Sequence, residues 1–357
     1  MTIPEEKKQK FRDWWAHKGT IVGGWTGVFK DRSLNLRALI GNKNFWEGQI
    51  NRYLRPEESA LLDPFVLDMQ EFPAETLRVG NFVIGPGSLA LYLGSEPLAS
   101  EHTIWFTKAF NSREDFPERL AFDPVNFWWL RTERVMDESL KTAAGQYLLG
   151  FPDLVENLDI LASLRGTNDL LLDLVDAPDW VEQRLREINQ VYFEVYDRMY
   201  ERIRDSDGGS VYSAYSLWAP GKVAKVQCDN SACISPAMFN RFVLPSLTEQ
   251  VEYLDYSLYH LDGTTCLQHL DTLLSIEKLQ AIEWTPQAGL ESGTDPRWWP
   301  LYRKILEAGK SVQILVSRAD GVEPLLKEIG TDGVYLLNEG PTSDVYRMMD
   351  VVARLTS

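Results

Sequence analysis

Cysteine is scarce in this chain of 357 residues: Cys228, Cys233 and Cys266 are the whole set. Three thiols cannot build a disulfide framework, and so sparse a usage fits a reducing compartment. Only four histidines occur, so imidazole chemistry must come from His17, His102, His260 or His269. No apolar run approaches the roughly 18 residues a membrane-spanning helix needs. The first residues are polar and charged and carry no apolar leader segment, so a cytoplasmic location is expected. Positive charge is in deficit: 36 Lys and Arg against 52 Asp and Glu give a formal net charge of -16. Such a surface repels phosphate backbones and anionic lipid, so neither nucleic acid nor a membrane is an expected partner. Low-complexity stretches, long linkers and internal repeats are absent as well.

What is present is alternation. Short apolar runs and amphipathic runs follow one another through the second half of the chain. Strands are predicted at 20–25, 146–150 (QYLLG), 210–218 (SVYSAYSLW), 223–228, 256–260 (YSLYH), 280–284 (QAIEW), 311–316 and 333–337. Between them, 166–175 leads into a helix over 178–203, with Asp176 as its cap and Pro178 in its first turn. A second helix starts at Ser235-Pro236, runs to about Leu254 and should kink at Pro245. Further helices are expected at 267–274, 296–308, 324–329 and 343–355, two of them closed by Gly309 and Gly330. Repeated strand–helix units imply a parallel sheet with helical crossovers. An open doubly wound sheet would carry G-x-G-x-x-G after a strand, and none is found. The expected fold is therefore one α/β domain over 1–357, a (β/α)8 barrel. Roughly residues 1–140 would form an N-terminal helical elaboration, the stretch 35–137 being less regular.

Barrel enzymes place their chemistry where strands end. Asp229 follows VAKVQC, His260 and Asp262 follow YSLY, Glu283 closes QAIEW, and Asn338 and Glu339 follow GVYLL. His260 and Asp262 are two apart, so in an extended segment both side chains face the same way. With Glu283 one unit later, and Glu339 as a fourth, these residues form a ligand set for Zn or another divalent metal. The same residues also fit acid–base work or a buried polar network. Asp229 reads equally as a substrate ligand, an acid–base group or a cap. Gly85 and Gly87 allow close backbone approach to a substrate, or form a tight turn. Trp25, Trp105, Trp218 and Trp284 lie near strand ends or turns and are candidates for a cleft wall, with core packing as the alternative for each. The three cysteines fit small buried residues better than a metal site, since no second close pair completes Cys228-x4-Cys233.

These residues resemble a known group. The runs 81–94 (NFVIGPGSLALYLG), 103–106 (TIWF), 228–245 (CDNSACISPAMFNRFVLP), 260–263 (HLDG) and 279–286 (LQAIEWTP) are similar to segments of uroporphyrinogen-decarboxylase-like proteins, from about residue 60 to the end. The resemblance implies a (β/α)8 barrel in a superfamily of porphyrinogen decarboxylases, corrinoid-protein methyltransferases and cobalamin-independent methionine synthase. True members of the heme pathway carry an N-terminal arginine motif that grips porphyrinogen carboxylates. Here that stretch reads GTIVGGWTGVFKDR, with Arg32 at its end and Arg37 after it, and the motif is absent. The zinc methyltransferases use a His-x-Cys pair, a Glu on the next strand and a later Cys. At those positions this chain has His260, Asp262, Glu283 and the region of Asn338 and Glu339, an N/O set in place of a thiolate one.

The expected function is thus methyltransferase-like transfer on a small substrate, with metal assistance. A corrinoid, if used, would arrive on a carrier protein, because nothing in this chain reads as a cobalamin-binding domain. The alternatives are decarboxylation of a small or tetrapyrrole carboxylate, and a barrel that binds ligand without turnover. A homodimer is the default assembly.

Overall fold

The computed structural model describes residues 3–31, 33, 34, 45–155, 157–287, 289, 290 and 292–356. Arg32 and Arg37 lie outside them. Among the described residues eight strands run in parallel pairings: β1 (Thr20–Gly24), β2 (Val79–Asn81), β3 (Leu148–Gly150), β4 (Val223–Gln227), β5 (Tyr256–Asp262), β6 (Ala281–Thr285), β7 (Ser311–Val316) and β8 (Val334–Asn338). The principal helices are α1 (Glu5–Trp15), α2 (Phe127–Ala143), α3 (Asn157–Arg165), α4 (Pro178–Ile203), α5 (Leu244–Tyr253), α6 (Trp299–Glu307), α7 (Val322–Ile329) and α8 (Asp344–Thr356). Strands β4, β7 and β8 are buried at every position, as a parallel sheet covered on both faces requires.

Six strands form one parallel sheet in the order β1-β8-β7-β6-β5-β4, and β2 pairs only with β3. Continuous ladders therefore do not close the expected barrel. The free edge of β1 is met instead by the residues just before β2. The Val22 N–H donates to Glu75 Oε2 (3.0 Å), the Gly24 N–H to Thr76 Oγ1 (2.9 Å), and the Glu75 N–H to the Val22 carbonyl (2.8 Å). These bonds satisfy backbone groups that an open edge would leave unpaired. Between β3 and β4 the chain inserts a hairpin, Ser210–Tyr212 with Leu217–Ala219, and Phe151 bridges to Tyr212.

Several sequence expectations change in detail. The run 210–218 is not one strand but this hairpin, because 213–216 turns back. Ala177, not Asp176, is the N-cap of α4, with Pro178 in its first turn. The helix begun at Ser235-Pro236 runs without a break to Tyr253, and its irregularity falls just before Pro245. Over Phe239–Val243 its turns widen before α5 begins, since proline cannot donate to the carbonyl four residues back. Strand β2 was missed: its sequence, VGN, is short and polar.

Helix α1 closes the amino ends of the strands. The Trp14 carbonyl accepts from Ser311 Oγ at the start of β7 (2.6 Å), and Trp14 Nε1 donates to the Gly333 carbonyl before β8 (3.2 Å). Phe11 and Trp14 pack edge-on against Tyr335. The helices α5, α6 and α7 return the chain so that β4 to β8 all end on the opposite side, and the polar groups collect there. No helix among the described residues is long and apolar enough to cross a membrane.

Candidate functional site

Register decides which side chains share a face. Gln227 of β4, His260 of β5, Glu283 of β6, Gln313 of β7 and Tyr335 of β8 are successive partners in the ladders. Neighbours in parallel register project from the same side of the sheet. The apolar strands thus carry one polar row, with Lys225 one step below it and Asp262 and Asp229 above it.

Asp229, His260 and Asp262 each offer a ligand atom within 4.8 Å of the other two. Asp229 leaves β4 in a short turn, Asp229–Cys233. That turn is fixed by Asp159 of α3. Asp159 Oδ2 accepts from the Asp229 N–H (2.7 Å), and Oδ1 accepts from the backbone and side-chain N–H of Asn230 (2.9 and 2.8 Å). Asp229 Oδ2 accepts from Gln227 Nε2 (2.9 Å). Burial, and then the neighbouring Asp159 charge, push the Asp229 carboxyl up to about 6. A carboxyl held this high exchanges a proton closer to neutral pH than an ordinary aspartate does.

His260 is held from behind. Its Nδ1 lies 2.5 Å from Oε2 of Glu283, which is fully buried and accepts from Thr285 Oγ1 at its other oxygen (2.8 Å). Burial by itself disfavours the imidazolium, but the charge and hydrogen bond of Glu283 outweigh it and hold the His260 pKa above its ordinary value. The Tyr215 hydroxyl sits 2.9 Å from the same Nδ1, and Trp25 packs on the Tyr215 ring at 5.4 Å. Below, buried Lys225 pairs with Asp153 (2.7 Å) and also bonds Gln227.

The sequence candidates separate on this geometry. His260 and Asp262 come together with Asp229, while Glu283 stands behind His260. Glu339 accepts from Ser317 Oγ (2.5 Å) and does not belong to the trio. Asn338 is buried and donates to the Pro341 carbonyl (3.0 Å). Trp284 lies on the opposite side of β6 from Glu283, fully buried against Trp298. Trp218 is buried beneath Phe11 and Lys8. Trp105 is exposed, paired across a two-stranded ribbon with Leu98. Gly85 and Gly87 have positive φ, and the Gly87 N–H donates to the Asp153 carbonyl (2.9 Å). A side chain at Gly85 would strike Ile104, and one at Gly87 would strike Phe106, so both glycines serve a tight packed turn. Cys228 and Cys266 are buried and Cys233 is exposed; all three are free.

Sequence reading missed Tyr215, Asp153, Asp159, Lys225 and Gln227. For Lys225 and Gln227 the available signal was polar residues at alternate positions of an apolar strand, VAKVQ; Tyr215, Asp153 and Asp159 lie in a turn, a loop and a helix and carried no such signal.

The residues fit a divalent ion. Two carboxylates and one imidazole suit Zn²⁺, Mn²⁺ or Fe²⁺. A histidine whose other nitrogen bonds a buried carboxylate is the usual outer support of such a ligand. Ligand atoms about one metal stand roughly 3 to 4 Å apart for bonds near 2 Å, a small rotamer adjustment from 4.8 Å. Among the described residues, Asp153, Asp159 and Glu283 stand around the trio with Lys225, which is paired to Asp153, so these groups together favour positive charge.

No protein-family model matches the chain, and no curated protein sequence does. Among solved structures it is similar to a methyltransferase from Methanosarcina mazei, with a TM-score of 0.63 over 98% of this chain and 99% of that one, at 11% identity. At that identity the likeness is one of fold, and it extends over nearly the whole of both chains.

Proposed function

We propose that this chain is a methyltransferase-like enzyme of the (β/α)8 type, with ladders interrupted at two places, acting on a small substrate at the carboxyl ends of β4 to β6. The observation that carries the reading is the meeting of Asp229, His260 and Asp262 in front of the buried Glu283. The methyltransferase fold neighbour agrees with it, as does the resemblance of the segments around these residues.

Asp229, His260 and Asp262 would hold a divalent ion. When bound, the ion supplies Lewis acidity, which lowers the pKa of a coordinated nucleophile or steadies a leaving group. The protein's own part is positional. Gln227 orients the Asp229 carboxylate, and Asp159 fixes the turn that presents it. Glu283 takes the Nδ1 hydrogen of His260 and leaves Nε2 as the ligating nitrogen. The methyl group would pass to or from a small acceptor or a corrinoid on a carrier protein. A substrate with many carboxylates, as in porphyrinogen decarboxylation, would meet mostly like charge here.

The test is the metal content of protein purified without chelators or nickel affinity. Wild type is expected to carry about one equivalent of Zn, Mn or Fe. His260→Ala should lose it, and Glu339→Gln should keep it. Wild-type protein that stays metal-free after reconstitution would end the metal-assisted reading. A screen of methyl donors against free cob(I)alamin, followed by its absorption spectrum, then addresses transfer itself.

A further inference from the structure

The hairpin turn at 213–216 is tied to three strands of the six-stranded sheet and to the chain just after β3. Its Ser213 hydroxyl donates to the Phe151 carbonyl after β3 (2.9 Å), and its Ser216 hydroxyl to the Gly24 carbonyl of β1 (3.3 Å). Gln313 of β7 donates to the Tyr215 carbonyl (2.9 Å), and Tyr335 of β8 donates through its hydroxyl to the Ser216 carbonyl (2.9 Å). Ser216 is held at φ +52°, in the left-handed region. A turn that only joined α4 to β4 would run over the surface. This one is fixed inside the site, and Tyr215, nearly fully buried, ends at His260.

His260 Nδ1 has one hydrogen, and the nearer acceptor is the Glu283 carboxylate. One anchor still lets the imidazole plane swing about that bond. The Tyr215 hydroxyl lies 2.9 Å from Nδ1 and 3.4 Å from Nε2, and because Nε2 is off the axis of the Glu283 bond, a swing of the plane would alter that second distance.

We infer that Tyr215 is a positioning residue. Carried on the anchored turn, it holds the His260 ring together with Glu283, so that Nε2 serves the space shared with Asp229 and Asp262. The inference rests on the site reading above, yet its test does not require a bound metal. The probe is nitrogen NMR of protein labelled with ¹⁵N-histidine, which contains four imidazoles. Tyr215→Phe keeps the ring and its packing against Trp25 and removes only the hydroxyl. The His260 ring nitrogens should shift, with His17, His102 and His269 unmoved. Gln313→Leu, which frees the Tyr215 carbonyl but leaves the phenol, should move the same resonances. It serves as the second variant if Tyr215→Phe fails to fold. Unchanged His260 resonances in the folded variants would overturn the inference. In parallel, Tyr215→Phe should bind Co²⁺ about tenfold more weakly than wild type, the usual scale for an outer support of a metal ligand. If wild type binds no Co²⁺, the metal reading fails and the ¹⁵N shifts alone judge Tyr215.

Discussion

His269 shows how little a residue's identity says about its work. It is one of four histidines, and it falls in the run 267–274 where the sequence predicts a helix. The structure buries it, stacks it on Phe239 at 4.3 Å, and bonds Nε2 to the Ser231 carbonyl (3.0 Å). Its Nδ1 is buried with no hydrogen-bond partner among the described residues. Burial lowers its pKa below the ordinary value, the Ser231 bond opposing only in part. Because the folded pKa lies below the unfolded one, the neutral ring's contribution is fully present above about pH 6.5 and is lost as pH falls from there toward the folded pKa. His260 has the opposite sign, its raised pKa favouring the folded state as pH falls. The clean measurement is therefore a difference. In urea unfolding, the stability advantage of wild type over His269→Gln should shrink between pH 7.5 and 5.5. An advantage that is constant or grows over that range would contradict the burial argument.

At the scale of elements, caps and breaks were partly readable. Ser235 does accept from the Met238 N–H, and Pro236 takes the first position. Asp176 was misplaced because Ala177-Pro178 itself starts α4. Helix α2 begins in the less regular stretch of the expected helical elaboration, where no helix bounds were predicted, and it is well capped: the Asn126 side chain accepts from the N–H groups of Trp128 and Trp129 (2.9 and 3.0 Å). Those bonds satisfy two of the four N–H groups that a helix leaves unpaired at its start. Asn126→Ala should cost about 1 kcal/mol. Asn126→Asp, which keeps the acceptor, should lose much less. Equal melting temperatures for Asn126→Ala and wild type would show that the cap contributes nothing.

Across the whole molecule the pairing is uneven. β1 and β4 to β8 share long ladders, whereas β2 and β3 are three residues each and pair only with one another. One apolar core nonetheless runs from Ile3 to Met348. Local opening needs the loss of fewer bonds at β2 and β3 than in the interior of the sheet. Amide hydrogen exchange should protect Val312–Leu315 and Leu258–His260 longest and release Val79–Asn81 and Leu148–Gly150 earlier. Uniform protection across all eight strands would show that the two interruptions have no energetic weight.

The alternation of strands and helices, and the strand ends bearing Asp229, His260, Asp262 and Glu283, were legible in the sequence, because periodicity and burial are local properties of a few adjacent residues. Period-2 spacing placed His260 and Asp262 on one side correctly, for the same reason. The rest required the fold. Whether ladders close depends on strands about 50 residues or more apart meeting in register. The use of 213–216 as an interior turn depends on acceptors and donors from three distant strands and from Phe151 just after a fourth. Which carboxylate stands beside His260 and which stands behind it was settled by register between β4, β5 and β6. Spacing along the chain fixes where side chains point within one strand, and only the packing of strands against each other fixes what they meet.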